Sequence, residues 1–293
     1  MATYYTPSGK SGPLSYLYLI AVSFVLIPIV GLLYAYAIWH MPFIYVNFLL
    51  SAGFGFVIGF LVNKIVVRYG KVRSTVMAIL FSVIGAICGL YFSWVSWIDL
   101  VINAASDGGT STAGIIVSNV DGNHLLNLAT NPSMLFSLIG SINEVGTWGF
   151  KSTTISGGFL TVIWVLEFLI VLIVSILVGS SSASEPFCES TNQWFAKKII
   201  SPLNYVYDTQ TFVTTMEDNN QASIDQLHTN HNASNENHSV FTLYASDQGE
   251  RYLSVTNKTV QVGDDGKVTF DDVVILKALA VNKEIYDQLL AKA

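Results

Sequence analysis

Four apolar runs, at residues 14–39, 43–63, 75–97 and 159–178, constrain this chain more than any other feature. A helix needs about 20 mostly apolar residues to cross about 30 Å of hydrocarbon, and each run meets that length. The expected fold class is therefore a membrane all-α bundle of four transmembrane helices. Composition agrees, with 52% hydrophobic and 12% charged residues and a mean hydropathy of +0.51. The runs are confined to residues 1–183. Beyond them the chain is polar, Asx-rich and acidic, so residues 184–239 read as a juxtamembrane segment and polar linker, and residues 240–293 as a small cytoplasmic α+β domain. The net charge of −6 gives no reason to expect nucleic acid, which requires clustered Lys/Arg on a face.

The positions of the basic residues orient the bundle. Lys10 precedes the first run, Lys64, Arg68, Lys71 and Arg73 fill the connection after the second, and Lys197 and Lys198 follow the fourth. The opposite side holds only Lys151. By the positive-inside rule both termini are cytoplasmic and the 99–157 loop is outside, in an integral protein of bacterial inner (cytoplasmic) membrane type. The first run is longer than a signal peptide and lacks a small-x-small cleavage site. His40, Met41 and Pro42 form the outer turn between the first two runs, with Trp39, Tyr45, Trp94 and Trp97 as an interfacial aromatic belt.

The outer loop opens with Ser106-Asp-Gly-Gly-Thr-Ser-Thr and then carries a helix signal. Asn131 is the cap, Pro132 the first helical residue, and Leu135, Leu138, Ile139 and Ile142 make an apolar face ending near Gly146. Such a helix either lies along the outer membrane surface or plugs the top of the bundle. On the other side of the chain, turn residues at Asp247-Gln-Gly and at Gly263-Asp-Asp-Gly mark two hairpins. The first joins strands 240–245 and 251–256, the second joins 259–262 and 267–270, and 273–276 is a further strand. Asn282 caps a last amphipathic helix through Leu290. His228, His231 and His238 lie in a polar tract without the Cys or carboxylate spacing of a built metal site. Three Asn-x-Ser/Thr matches, at Asn232, Asn237 and Asn257, fall in the segment assigned to the cytoplasm.

Glu167 is the one ionisable residue in the fourth run. A carboxylate at that depth has to be protonated, paired, or turned toward protein or water. Counting residues from the outer helix ends brings Ser51, Tyr91 and Cys88 to a similar depth, with Asn47, Tyr34 and Ser93 a little shallower and no cation among them. Glu167, Ser51, Asn47 and Tyr91 are the candidate intramembrane polar site. Small residues recur every four positions at Ser51, Gly55 and Gly59 and at Gly85, Gly89 and Ser93, a spacing that packs membrane helices closely. The stripes predict the second span against the third, or one stripe against another subunit. Pro28 predicts a kink in the first span. Cys88 reads as a buried thiol, and Cys188 as a thiol beside the membrane where a lipid could attach.

No catalytic motif, metal site or cofactor site is legible. The functional expectation is a non-catalytic polytopic protein that anchors or scaffolds a cytoplasmic interaction module. Its expected partners are the lipid bilayer and a second copy or another membrane protein. The alternative is a small carrier or channel component in which Glu167 binds a proton or cation.

Overall fold

The computed structural model describes residues 2–292 apart from 42, 107–110, 113–114, 117–119, 147 and 151–152. Pro42, Lys151 and most of the Ser106-Asp-Gly-Gly-Thr-Ser-Thr stretch therefore lie outside the described residues. The chain forms two compact units, one of Gly9–Ala183 and one that joins Met1–Ser8 to Ser184–Ala293.

The first unit contains four helices long and apolar enough to cross a membrane. The first of them, Leu14–His40, is α1 (Leu14–Ala21) and α2 (Ile27–His40) with a π-helical segment, Val22–Leu26, between them. Pro28 has no N–H to donate, and a widened turn just before it is the usual way for a helix to absorb that loss. The second is α3 (Ile44–Leu61) continued by π-helical turns over Val62–Tyr69. α4 (Thr75–Ser106) follows. β1 (Ser111–Thr112) and β2 (Ile115–Ile116) pair beyond it, and then come the short helices α5 (Gly122–Thr130) and α6 (Pro132–Val145). A hairpin of β3 (Trp148–Phe150) and β4 (Thr153–Ile155) leads into α7 (Gly157–Gly179), the fourth long apolar helix.

Both glycine stripes are used inside the chain, and the one on the second span has a different partner from that expected. A side chain on Gly55 would meet the Val171 carbonyl and one on Gly59 the Ser175 carbonyl, so α3 packs backbone to backbone on α7. Ser175 Oγ donates to the Gly55 carbonyl at 3.0 Å across this contact. Gly85 and Gly89 instead receive the side chains of Val62, Ile58, Phe54 and Ile27. The closest backbone approach to α4 comes from Gly31 on α2, beside the Gly89 carbonyl and Ser93 N–H. The second span does pack on the third, through its large side chains on Gly85 and Gly89 and not through its own glycines, because residue spacing shows that a helix can be approached closely but not by which neighbour.

α5 and α6 pack on α4 and α7 through a small core of Val95, Ile98, Leu128 and Leu135. The apolar face expected on 135–142 is real, and it is spent on the bundle.

In the second unit, β5 (Phe187–Cys188) pairs with β6 (Gln193–Trp194). β7 (Ala196–Ile199) and β8 (Leu203–Asn204) both pair with β9 (His238–Ala245). β10 (Arg251–Val262) and β11 (Val268–Ala280) complete an antiparallel sheet in the order β11, β10, β9, β7. Both expected turns close the hairpins, with Gly249 and Gly266 at positive φ as such turns require. The strands foreseen at 251–256 and 259–262 are one continuous β10. Asn257, between them, is buried rather than a breaker, because its amide donates to the Val206 carbonyl at 2.8 Å and its carbonyl accepts from Ser239 Oγ. Asn282 caps α10 (Lys283–Leu290) by accepting from the Ile285 N–H at 2.9 Å.

Two parts of this unit were not foreseen. Residues 184–239 are no linker: α8 (Thr209–Glu217) and α9 (Ala222–Asp225) place Phe212, Met216, Ile224 and Leu227 in the same core as Phe241, Leu253 and Ile285. Polar composition hid apolar residues spaced widely enough to serve one helix face. The N-terminus also joins the sheet. The Tyr5 N–H donates to the Ala278 carbonyl at 2.9 Å, the Ala280 N–H to the Thr3 carbonyl at 2.8 Å, and Tyr4 bridges Leu279 on the edge of β11.

Candidate functional site

One set of polar groups among the long helices lies toward the α2–α3 turn. The Tyr34 hydroxyl lies 2.8 Å from Ser51 Oγ, and Ser51 Oγ donates to the Asn47 carbonyl at 2.9 Å. The Tyr34 ring stacks on Phe54 with centroids 4.3 Å apart, which fixes the direction of the hydroxyl. Glu167 reaches this group through the packing register. α3 and α7 run the same way, with Gly55 on Val171 and Gly59 on Ser175, so one turn further out Ser51 stands beside Glu167. Glu167 is half-buried, and no Lys, Arg or His pairs with it among the described residues. The amide oxygen of Asn47 is buried with no hydrogen-bond partner.

Of the four candidate residues, the α3–α7 register sets Glu167 and Ser51 at one level, and Asn47 lies one turn from Ser51 on the same helix. Tyr91 is at a matching level, but its hydroxyl donates to the Ala129 carbonyl at 2.8 Å and so belongs to the α5 contact. Tyr34, which residue counting placed a little too shallow, is the group Tyr91 was expected to be. A long aromatic side chain reaches a full helical turn from its Cα, and depth counting ignores that reach.

A second polar centre was not legible at all. Asp99, fully buried on α4, lies with Oδ1 2.6 Å from His124 Nδ1. Its Oδ2 accepts from the Asp121 N–H at 2.9 Å and from Asn103 Nδ2 at 3.1 Å. Asp121 in turn caps α5 by accepting from the N–H groups of Asn123 and His124. The arrangement satisfies a buried carboxylate on all sides and fastens α5 to α4. Trp94, Trp97 and Trp164 form an edge-to-face cluster beside it, with Trp94 and Trp164 4.8 Å apart. Two of the residues assigned to an interfacial belt are therefore packed between α4 and α7.

Elsewhere the candidates stay apart. His238 packs edge-to-face with Phe270 and its Nδ1 contacts the Glu236 carbonyl, and His228 Nδ1 contacts the Gln226 carbonyl. Among the described residues no three His, Cys, Asp or Glu side chains are grouped as metal ligands would be. Cys88 and Cys188 are free thiols, and Cys188 is buried against Phe195 and Tyr244. Burial there leaves the Cys188 thiol no open approach for a lipid. A shallow cleft of about 320 Å³ in the second unit is lined by Tyr205, Tyr207, Thr211 and Gln226, without a convergent set of charges.

In comparisons with known proteins, no family model, no curated protein and no solved structure matches the chain.

Proposed function

We propose that this chain is a non-catalytic membrane protein whose four-helix bundle anchors a folded interaction module at the membrane surface. One observation carries the reading: residues 3–5 and 278–280 are hydrogen-bonded in a single sheet, so the bundle is an insertion in the module and both of its ends return to it. Paired strands share one side of a bilayer, which supports an even number of crossings and, with the Lys/Arg distribution, both termini on the cytoplasmic face. The interaction surface of the module is the outer edge of β11 over residues 268–277. It has no backbone partner among the described residues, and it exposes Val273 and Val274. A strand of another polypeptide, including a second copy, can add there. With both glycine stripes occupied within the chain, association falls to this edge rather than to the bundle.

A second reading rests on the half-buried Glu167 beside Ser51 and Tyr34 with no counter-ion: a proton or cation site in a small carrier or channel component. One experiment separates the two. A photoreactive amino acid at Val274 in the membrane-embedded full chain should yield an adduct with another polypeptide, and Glu167→Gln should leave both the adduct and cellular function intact. A Gln variant that assembles and crosslinks normally but is functionally dead contradicts the anchoring role and favours transport. Absence of any adduct at Val274 refutes the edge as the contact surface.

A further inference from the structure

α5 and α6 run into the bundle rather than over it, and three contacts set their depth. At the start of α5 the Asp121 N–H and His124 ring bond Asp99, and at its end the Ala129 carbonyl accepts from the Tyr91 hydroxyl. Asp99 and Tyr91 are eight residues apart on α4, about 12 Å at 1.5 Å per residue. The nine residues of α5 cover about the same distance, so α5 descends alongside α4. Helical side chains lean toward the N-terminus of their own helix, so the Tyr91 hydroxyl lies no further out than its Cα, and Ala129 lies there too. α7 supplies the scale. It packs antiparallel to α4 with Trp164 on Trp94, which puts Phe159, the start of its apolar stretch, opposite Asp99. Asp99 therefore marks the outer end of the apolar layer, and the turn at Thr130 and Asn131 is about 12 Å inside it. α6 leaves α5 at a 103° bend and climbs back out, where Asn143 Nδ2 donates to Thr161 Oγ1 at 3.2 Å.

The turn is built for that depth. Three of the last four carbonyls of α5 are taken without water: Asn127 by the Asn131 N–H and side chain, Leu128 by the Asn131 N–H, and Ala129 by Tyr91. Open backbone groups would be costly in hydrocarbon. The remaining face of α6 tells what it meets. Ser133, Ser137, Ser141 and Glu144 recur along one exposed stripe opposite the buried Leu135. A continuous stripe of hydroxyls that ends in a carboxylate favours water over acyl chains, although Ser141 Oγ also donates to the Ser137 carbonyl, and re-entrant chain is tolerated where it is buried in protein or lines water.

We infer that residues 122–145 form a re-entrant hairpin whose Ser133, Ser137, Ser141 and Glu144 face lines a water-filled recess in the outer leaflet, open to small hydrophilic solutes. Phe136, exposed on the flank beside Ser137, meets lipid at the rim of the recess. A hairpin that enters and returns on one side also keeps the crossing number even, as the shared sheet of the second unit requires.

Spin labelling tests this in the full chain reconstituted in bilayers, with Cys88→Ala and Cys188→Ala as background. Cysteines at Phe136, Ser137 and, on the exposed face of α7, Val165 are labelled one at a time. Collision with dissolved oxygen reports lipid, and collision with a water-soluble nickel chelate reports water. The expected result is Ser137 several-fold more open to the chelate than Val165, with Phe136 like Val165. Chelate access at both Phe136 and Ser137 would put the helices above the membrane and overturn the inference. Oxygen access alone at Ser137, or access to neither reagent, would mean that lipid or protein covers the stripe, and either outcome also overturns it.

Discussion

Alanine at Gly55 adds one methyl group where α3 and α7 touch backbone to backbone. The new Cβ would stand 2.7 Å from the Val171 carbonyl oxygen and 3.0 Å from the Val171 Cα. Neither atom can turn aside as a side-chain tip would, so the helices must separate. Overpacking of this kind costs about 1–3 kcal/mol, and separation also stretches the Ser175 to Gly55 hydrogen bond, worth about 1 kcal/mol. Gly53, two residues away on the same helix, has nothing within 4 Å of its would-be Cβ. There alanine should only raise helix propensity, a gain of about 1 kcal/mol. The two variants should therefore differ by about 3 kcal/mol in opposite directions from wild type. Equilibrium unfolding in mixed micelles, followed by tryptophan fluorescence, measures the difference. Equal stability of Gly53→Ala and Gly55→Ala would show that α3 does not pack on α7 through this face.

Asp99→Ala leaves His124, Asn103 and the Asp121 N–H without their shared acceptor; a loss of about 3 kcal/mol in the attachment of α5 should speed amide exchange across residues 122–130 about a hundredfold, and unchanged exchange would refute the fastening role. Asn257→Ala strands the Val206 carbonyl and Ser239 hydroxyl, so the second unit should lose about 2 kcal/mol, read as a lower thermal midpoint. Burial first, and then the Glu217 carboxylate 2.7 Å from its hydroxyl, push the Tyr4 phenol up from 10 to about 12. The folded state favours the neutral phenol, so the stability from this contact is complete below pH 10 and is lost as the pH rises from 10 toward 12. Alkaline difference absorbance should show a late-ionising tyrosine that moves toward 10 in Glu217→Gln, and no movement would sink the pairing.

Periodicity made the regular elements legible. Continuous apolar runs marked the long helices, alternation and glycine turns marked the hairpins around Gly249 and Gly266, and Asn282 marked its own helix. Features that depend on distant partners were hidden. Thr3 to Tyr5 is too short a stretch to announce a strand, and only the free edge of β11 makes it one. Asp99 and His124 are 25 residues apart, and neither residue alone distinguishes a surface charge from a buried pair. At the polar site, depth counting set Glu167 and Ser51 at one level, and the α3–α7 register agrees because it too is a relation between Cα positions. It assigned Tyr91 instead of Tyr34 because aromatic reach and rotamer are set by neighbours, here Phe54 for one and Ala129 for the other.

The central claim is that residues from both ends of the chain close one sheet on one side of the membrane. Cysteines at Thr3 and Ala280, in the Cys88→Ala and Cys188→Ala background, test it in sealed vesicles without detergent. The claim predicts that mild oxidation or a short bis-maleimide joins the two within one chain, giving a fast-migrating band, and that an impermeant thiol reagent reaches Cys at Thr6 and at Ser223 from the same side. Failure of the pair to join, together with labelling of those two positions from opposite sides, would contradict it.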